Sequence, residues 1–328
     1  MSTLTRTPDP QDDTRTPRRR LRGLAWLMVR QHRAALIACA AAILIGVLWM
    51  IHERSVALDS LHAAGWPAKP VDTLAGDTRH RVDNAFADAA RYLGYLPVLF
   101  GVFVGAPLLA SDHEHGTARL VCTQSVTRLR WLLWKAGFAL TLAVVTTGVL
   151  GGVFTWWWRS VRPAVSSTWL DGTVFDNSLP VLTALAVFTT CLGILVGVLV
   201  RRAVAAMVVT FFTSAAALLV ADYVKPRLAT PRRVAFPLNG EHPAVLAHAV
   251  QVDTWVGTAS GKVYGWGTCV SDAAENACRA RLGIVNSVWD YFGDDQMAAI
   301  QWTAAGLLLG AGALMMALAM WRARRQAL

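Results

Sequence analysis

The chain has 328 residues, 55% of them hydrophobic, with a net charge of +10 and a mean hydropathy of +0.41. Its apolar residues form long uncharged blocks, which excludes an ordinary soluble domain, because a helix buried in such a domain rarely has more than about 10–14 consecutive apolar residues. The positive charge requires no nucleic-acid partner, since arginines at helix ends beside anionic lipid head groups account for it.

The N-terminal region precedes the first apolar block. Residues 1–20 are mostly Thr, Pro, Asp and Arg and predict a disordered cytoplasmic tail. Residues 21–33 place leucines at helical spacing with arginines on the other faces. This pattern predicts an interfacial amphipathic helix in the inner head-group layer, with an early start of the first membrane span as the alternative.

Six apolar stretches follow, each of roughly 18 to 23 residues, the length of helix that crosses a bilayer. Backbone polar groups in lipid must bond internally, so these stretches are expected to be helices. The sequence therefore predicts an all-α integral membrane protein with six transmembrane helices and a large outer loop before the last one. The predicted spans cover about 34–51, 93–111, 136–158, 179–200, 203–221 and 299–321.

The predicted domain organisation follows from these spans. Residues 34–221 contain the first five transmembrane helices, with a cytoplasmic loop at 112–135. Residues 222–298 form an extracytoplasmic region, which is too long for a bare turn and is expected to fold as a small outer cap. Residues 299–328 contain the sixth helix and a short basic cytoplasmic tail.

Glycines four residues apart within the spans predict close approach of helix backbones. They form the pairs Gly148 with Gly152, Gly193 with Gly197, and Gly306 with Gly310.

The distribution of charge predicts the orientation. With six spans both termini lie on one side, and more than half of the 31 Lys and Arg residues fall on that side with few acids. The positive-inside rule therefore places both termini in the cytoplasm, as expected for a multi-pass protein of the cell (plasma or inner) membrane. Of the five cysteines, only Cys269 and Cys278 form a pair on the predicted outer side, where an oxidising exterior permits a disulfide. Two free thiols are the alternative.

Several kinds of chemistry are missing from the pattern. No span centre carries an ionisable residue of the type that proton-coupled transporters use as relays. His113 and His115 are two residues apart and would point to opposite sides of a helix, so they do not predict a metal site. The sequence has no Walker A loop. We therefore expect no catalytic residues, no cofactor and no metal.

The connection after the second span is the most informative cytoplasmic segment. Two acids leave the membrane, Gly116-Thr117 makes a turn, and Arg128, Arg130 and Trp131 lead back to the bilayer. Residues 112–135 thus form a compact element with a polar tip that a cytoplasmic partner can contact.

This segment resembles the permease subunits of ABC-2-type ABC transporters, through an acid-x-E-x-G-T-x-R pattern followed by T-Q-S-V-T-R-x-R-W-L-x-x-K. The resemblance implies a permease that exports its substrate, works with a second permease copy or a similar permease, and takes energy from a separate ATP-binding subunit. It implies that this loop is a coupling helix which docks on the ATP-binding subunit. The coupling residues matched in this way are Asp112, Glu114, Gly116, Thr117, Arg119, Thr123 and Gln124, and Arg201 and Arg202 are candidates for a second contact.

The uncharged spans favour a lipophilic or amphiphilic substrate. Two other classes of function remain open at this stage. One is a membrane-anchored sensor or scaffold whose outer loops bind a ligand. The other is a membrane-embedded hydrolase, although no converging catalytic groups are apparent in the sequence.

Overall fold

The computed structural model describes residues 30, 32–70, 73–114, 128–270 and 274–325. Within these ranges the protein is mostly helical, and six helices are long and apolar enough to cross a membrane. The predicted all-α membrane fold is therefore confirmed. The predicted tail at 1–20 and nearly all of the predicted interfacial helix lie outside the described residues.

The helices extend beyond the apolar stretches, because polar residues continue them at both ends. Residues 52–63 and 76–92, for example, prolong the first two spans. The six membrane helices are α1 (Arg33–Ala63), α2 (Gly76–Leu99) continued by a π-helical segment (Phe100–Gly105) and α3 (Pro107–Glu114), α4 (Arg128–Val161), α6 (Leu179–Val200), α7 (Ala203–Val224) and α9 (Asp294–Arg325). Two short helices, α5 (Gly172–Phe175) and α8 (Glu275–Leu282), lie between them.

Helix α6 is the centre of the bundle. It is apolar on all sides, which is typical of a buried helix, and 83% of its most apolar 18-residue stretch is buried. It contacts α2, α3, α4, α7 and α9. The corresponding 18-residue stretches of α1 and α7 are only 11% and 17% buried. These two helices therefore present most of their apolar surface to the surroundings, as expected where lipid is the solvent.

Aromatic side chains fill the core where α2 and α4 meet. The ring of Phe86 stacks on Phe154 with centroids 4.7 Å apart, and Trp157 meets it edge-on at 5.6 Å. All three side chains are almost completely buried. Such pairs add to the stabilisation that burial provides. Trp157 thus packs inside the bundle.

Four strands, which were not predicted from the sequence, form an antiparallel sheet between α7 and α9. The strands are β1 (Arg232–Pro237), β2 (Val250–Thr258), β3 (Val263–Gly265) and β4 (Ile284–Phe292), in the order β1-β4-β2-β3. Val250 and Phe292 join the buried core of the bundle. An ion pair between Arg162 and Asp294 links the loop after α4 to the start of α9.

A charged pair joins the edge strand β1 to the neighbouring central strand β4. Arg233 on β1 donates two hydrogen bonds to Asp290 on β4, at 2.7 and 2.8 Å, and Trp255 Nε1 donates a third at 3.0 Å. The hydrogen bonds from Arg233 hold the pKa of the Asp290 carboxyl below its usual range. This pair therefore stabilises the ionised form of Asp290 and favours the register of β1 against β4.

Cys269 and Cys278 are joined by a disulfide. Cys278 lies on α8, and both cysteines are buried with Val256 and Ile284 of the sheet. The bond thus ties the loop after β3 to α8 beside the strands. Closing a loop this short stabilises the folded state by about 2–3 kcal/mol in the chain-entropy account.

Candidate functional site

Two ends of the bundle can be distinguished. The β-sheet lies beyond the end of α7 and the start of α9, and we call this the sheet end. At the opposite end Leu108 of α3 and Leu132 of α4 pack with Val198 of α6 and Ala319 of α9. We call this the arginine end, because Arg201, Arg202 and the basic end of α9 lie there. Of the candidate coupling residues, the structure describes Asp112, Glu114, Arg201 and Arg202, and these four lie at the arginine end.

Glu114 is the last residue of α3, and its side chain reaches a neighbouring helix. Its Oε2 accepts a hydrogen bond from the backbone N–H of Ala203, at 3.0 Å. Ala203 is the first residue of α7, and the preceding Arg202 supplies no side-chain cap. The N–H groups at a helix start lack intrahelical partners and carry partial positive charge, so a carboxylate there is stabilising. Glu114 therefore fastens the end of α3 to the start of α7.

The turn between α6 and α7 consists of Arg201 and Arg202. Arg201 adopts a left-handed conformation (φ 58°) and its N–H donates to Gly197 O at 3.3 Å, which ends α6. Both arginine residues are exposed. Glu114 and this pair are thus brought together on one surface, which we call the coupling surface and define as Glu114, Arg201, Arg202 and the start of α7.

The remaining candidates are described only in part. Asp112 lies within α3, two residues before Glu114, and only its backbone is described. The other five candidates, Gly116, Thr117, Arg119, Thr123 and Gln124, lie outside the described residues.

A buried cation supports the arginine end from inside. Lys135 of α4 is 2% exposed, and its Nζ donates to the carbonyl oxygen of Leu108 on α3 at 3.2 Å. The same Nζ lies 4.6 Å from the ring centroid of Trp131. This contact joins the helices on both sides of the candidate coupling loop, so α3 and α4 are connected at the place where the chain enters and leaves it.

The π-helical segment connects α2 to α3 and was not predicted. Ala106 N–H donates to Gly101 O, five residues back, at 2.9 Å. Pro107 has no N–H and cannot donate to the carbonyl of Phe103, which weakens the regular α-helical pattern here. π-helical turns are rare and occur often at functional sites. The sequence signal was present as Gly101 and Gly105, four residues apart and bracketed by Pro97 and Pro107.

This segment packs on α6 through glycines. A Cβ added to Gly193 would lie 2.2 Å from Gly101 O, and one added to Gly197 would lie 2.4 Å from Ala106 O. The predicted close approach at Gly193 and Gly197 is therefore confirmed. A Cβ at Gly148 would lie 3.9 Å from Thr183 Oγ1, and one at Gly152, Gly306 or Gly310 would meet no atom of the described residues within 4 Å. These four glycines therefore make no close backbone contact within the described part of a single chain.

The described residues contain no group of three or more His, Cys, Asp and Glu side chains that could hold a metal ion. What the arrangement offers is mechanical. Helix α3 is attached to α7 through Glu114, and the π-helical segment that precedes α3 packs backbone to backbone on α6. The end of α3 is thus connected to the start of α7 and, through the π-helical segment, to the central helix of the bundle.

Comparison with known proteins identifies the family. The family described as ABC-2 membrane transporter related has a model that matches residues 34–225. This region runs from α1 to the end of α7 and includes the coupling surface, and it is more than half of the chain. No curated protein and no solved structure matches. The chain therefore belongs to the ABC-2 membrane transporter related family and is a multi-pass ABC-2-type permease.

Proposed function

We propose that this permease is the membrane subunit of an ATP-driven exporter and that a separate ATP-binding subunit docks on its coupling surface. The contact between Glu114 and Ala203 carries the proposal, because it joins the coupling loop to a second membrane helix. Movement of the loop is then transmitted to α3 and α7 together. The family match supports a role in transport, and the missing Walker A loop supports a separate source of ATP hydrolysis.

The proposed assembly contains two permeases, either two copies of this chain or this chain with a similar one. Lipophilic or amphiphilic molecules are the proposed substrates, because the helices are apolar and expose much apolar surface. Closure of two ATP-binding subunits would rock the two permeases against each other. Export is the proposed direction.

Co-purification tests the partner. The full chain, solubilised from its own cells in a mild detergent, is expected to bring down a soluble protein that carries a Walker A motif. A chain with Arg201→Glu and Arg202→Glu is expected to bring down at least about tenfold less of this protein, because two negative charges replace two positive charges at the contact. A matched chain with Arg79→Glu and Arg81→Glu, which changes the same charge near the opposite end, is expected to behave as the wild type. Equal recovery with all three chains would contradict docking at this surface.

We further propose that the arginine end faces the cytoplasm and that the chain lies in the plasma or inner membrane. The positive-inside rule supports this orientation, and a disulfide at the sheet end fits an oxidising exterior.

Labelling tests the orientation. In a chain with Cys39, Cys122 and Cys191 replaced by alanine, Glu241→Cys adds a thiol at the sheet end and Arg324→Cys adds one at the arginine end. A membrane-impermeant maleimide is expected to label the Glu241→Cys chain in intact cells. It should label the Arg324→Cys chain only after the membrane is opened. The reverse pattern would refute the orientation.

A further inference from the structure

A cavity of about 400 Å³ lies between three membrane helices near the sheet end. Helix α6 forms its floor and contacts both α7 and α9, which form its walls. Small side chains on the walls create the space. They are Ala216, Ala217 and Ala221 on α7 and Ala304 and Ala311 on α9. We call this cavity the α7–α9 groove.

The groove is accessible from the surface of the bundle. Val220 and Leu307 line it on opposite walls, and they are 61% and 58% exposed. In a membrane this surface faces acyl chains or another apolar partner. A cavity of this volume falls in the range of about 300–1,000 Å³ that holds small ligands. Its walls therefore suit an apolar chain that enters sideways from the bilayer.

One end of the groove is charged. Lys225 lines it and is almost completely buried, with its side chain 4% exposed. Its Nζ lies 3.1 Å from Asp176, which also lines the groove, and 2.8 Å from Asp222. One cation is thus paired with two carboxylates, which leaves the cluster with one excess negative charge when both are ionised.

The two carboxylates differ in their environments. Asp176 lies in the loop before α6 with its side chain 35% exposed, whereas Asp222 is 69% exposed. Burial raises the pKa of the Asp176 carboxyl, and the charge of Lys225 opposes that shift. A second cation beside Asp176 would lower the free energy of its ionised form further. The end of the groove is therefore complementary to a cationic group.

We propose that the α7–α9 groove binds a single-chain amphiphile with an ammonium head group, whose alkyl chain lies along the groove and whose head group contacts Asp176. This inference deepens the proposed function, on which it rests, by naming a substrate class. A second permease copy suits the groove less well. A two-fold contact places identical surfaces against each other, so it would bring two clusters of the same charge together.

Photocrosslinking to the purified full chain tests the inference. The chain is placed in phosphatidylglycerol nanodiscs, which contain no ammonium head group. The probe is dodecyltrimethylammonium with a diazirine at the end of its chain, and the matched uncharged probe is a dodecyl glucoside with the same diazirine. Crosslinked peptides are mapped by mass spectrometry, and unfolding curves and size-exclusion profiles are recorded for every variant.

Substitutions in the groove give the expected results. Ala217→Trp fills the groove and should abolish crosslinking of the ammonium probe to α7 and α9. Leu219→Trp, on the lipid-exposed side of α7, is the matched control and should crosslink as the wild type. Leu307→Trp, at an exposed position on the other wall, replaces Ala217→Trp if that variant fails to fold. Asp176→Asn should lower the yield with the ammonium probe about tenfold and leave the yield with the uncharged probe unchanged.

Three outcomes would overturn the inference. One is unchanged crosslinking in both groove-filling variants. Another is an equal effect of Asp176→Asn on both probes. The last is a groove-filling variant that no longer forms a dimer in size-exclusion chromatography but still crosslinks the ammonium probe. This result would make the groove a subunit interface. The assay contains neither ATP nor a partner, so its failure leaves the docking of an ATP-binding subunit unaffected. Failure to find that subunit would likewise leave this result as it stands.

Discussion

Replacing Gly193 by alanine is expected to destabilise the bundle by about 3 kcal/mol or to prevent folding. The new Cβ would lie 2.2 Å from Gly101 O and 2.8 Å from Ala106 N, and both are backbone atoms. Overpacking of a core costs typically about 1–3 kcal/mol when side chains can adjust. Here the π-helical segment itself must move away from α6, so the effect should reach the top of that range. Reversible unfolding of the purified chain in mixed micelles measures it.

Gly306→Ala is the matched control for this substitution. Gly306 also lies in a membrane helix, but a Cβ there meets no atom of the described residues within 4 Å. Alanine also has a higher helix propensity than glycine. The control is expected to be at least as stable as the wild type. If Gly193→Ala were as stable as Gly306→Ala, the close backbone contact between the π-helical segment and α6 would be refuted.

Replacing Glu114 by alanine is expected to have the largest effect on activity. The substitution removes the acceptor for Ala203 N–H, and loss of a helix cap costs about 1 kcal/mol. That cost is too small to unfold the protein, so the chain should still insert in the membrane. It also removes a charge from the coupling surface. We expect recovery of the ATP-binding subunit, and the ATP hydrolysis that depends on the permease, to fall at least about tenfold.

Two further variants separate the causes. Glu114→Gln keeps an oxygen that can accept the hydrogen bond of Ala203 but removes the charge, so an intermediate loss is expected. Glu241→Gln makes the same chemical change near β1, at an exposed position away from the arginine end, and should have no effect. Full activity of the Glu114→Ala chain would exclude a role for this side chain in coupling.

The membrane helices could be predicted from the sequence because lipid imposes a long uncharged block on each of them. The stretch at 179–200 was predicted with the bounds that α6 has. The ends of α1 and α2 were harder to predict from the sequence. Their polar extensions, such as residues 76–92, lack such a block and fold as helix by packing Val82, Phe86 and Ala89 into the core.

The β-sheet was missed for a different reason. Strand β4 contains β-branched and aromatic residues, but its apolar residues do not alternate strictly with polar ones. Tyr291 and Phe292, for example, are neighbours in the sequence and are both buried. Strand β1 is buried mainly at Phe236. The sequence signal of each strand is therefore weak when the strand is considered alone. The sheet forms by pairing β1 and β2 with β4, and these segments lie far apart in the chain.

The candidate site was predictable in its location but not in its internal contacts. The charge pattern placed Glu114, Arg201 and Arg202 at one end of the bundle. The hydrogen bond from Ala203 to Glu114 could not be predicted, because it depends on how α3 and α7 pack on α6 and not on spacing in the sequence. The π-helical segment had a local signal in Gly101 and Gly105, but the sequence does not say which carbonyls those glycines approach.

The most direct test of coupling is ATP hydrolysis in lipid vesicles that contain this chain, the ATP-binding subunit, or both. We expect no hydrolysis by this chain alone. We expect faster hydrolysis by the pair than by the ATP-binding subunit alone, and loss of that increase when the permease carries Glu114→Ala. Hydrolysis by this chain alone, or a rate for the ATP-binding subunit that is the same with and without the permease, would contradict coupling between this permease and a separate ATP-binding subunit.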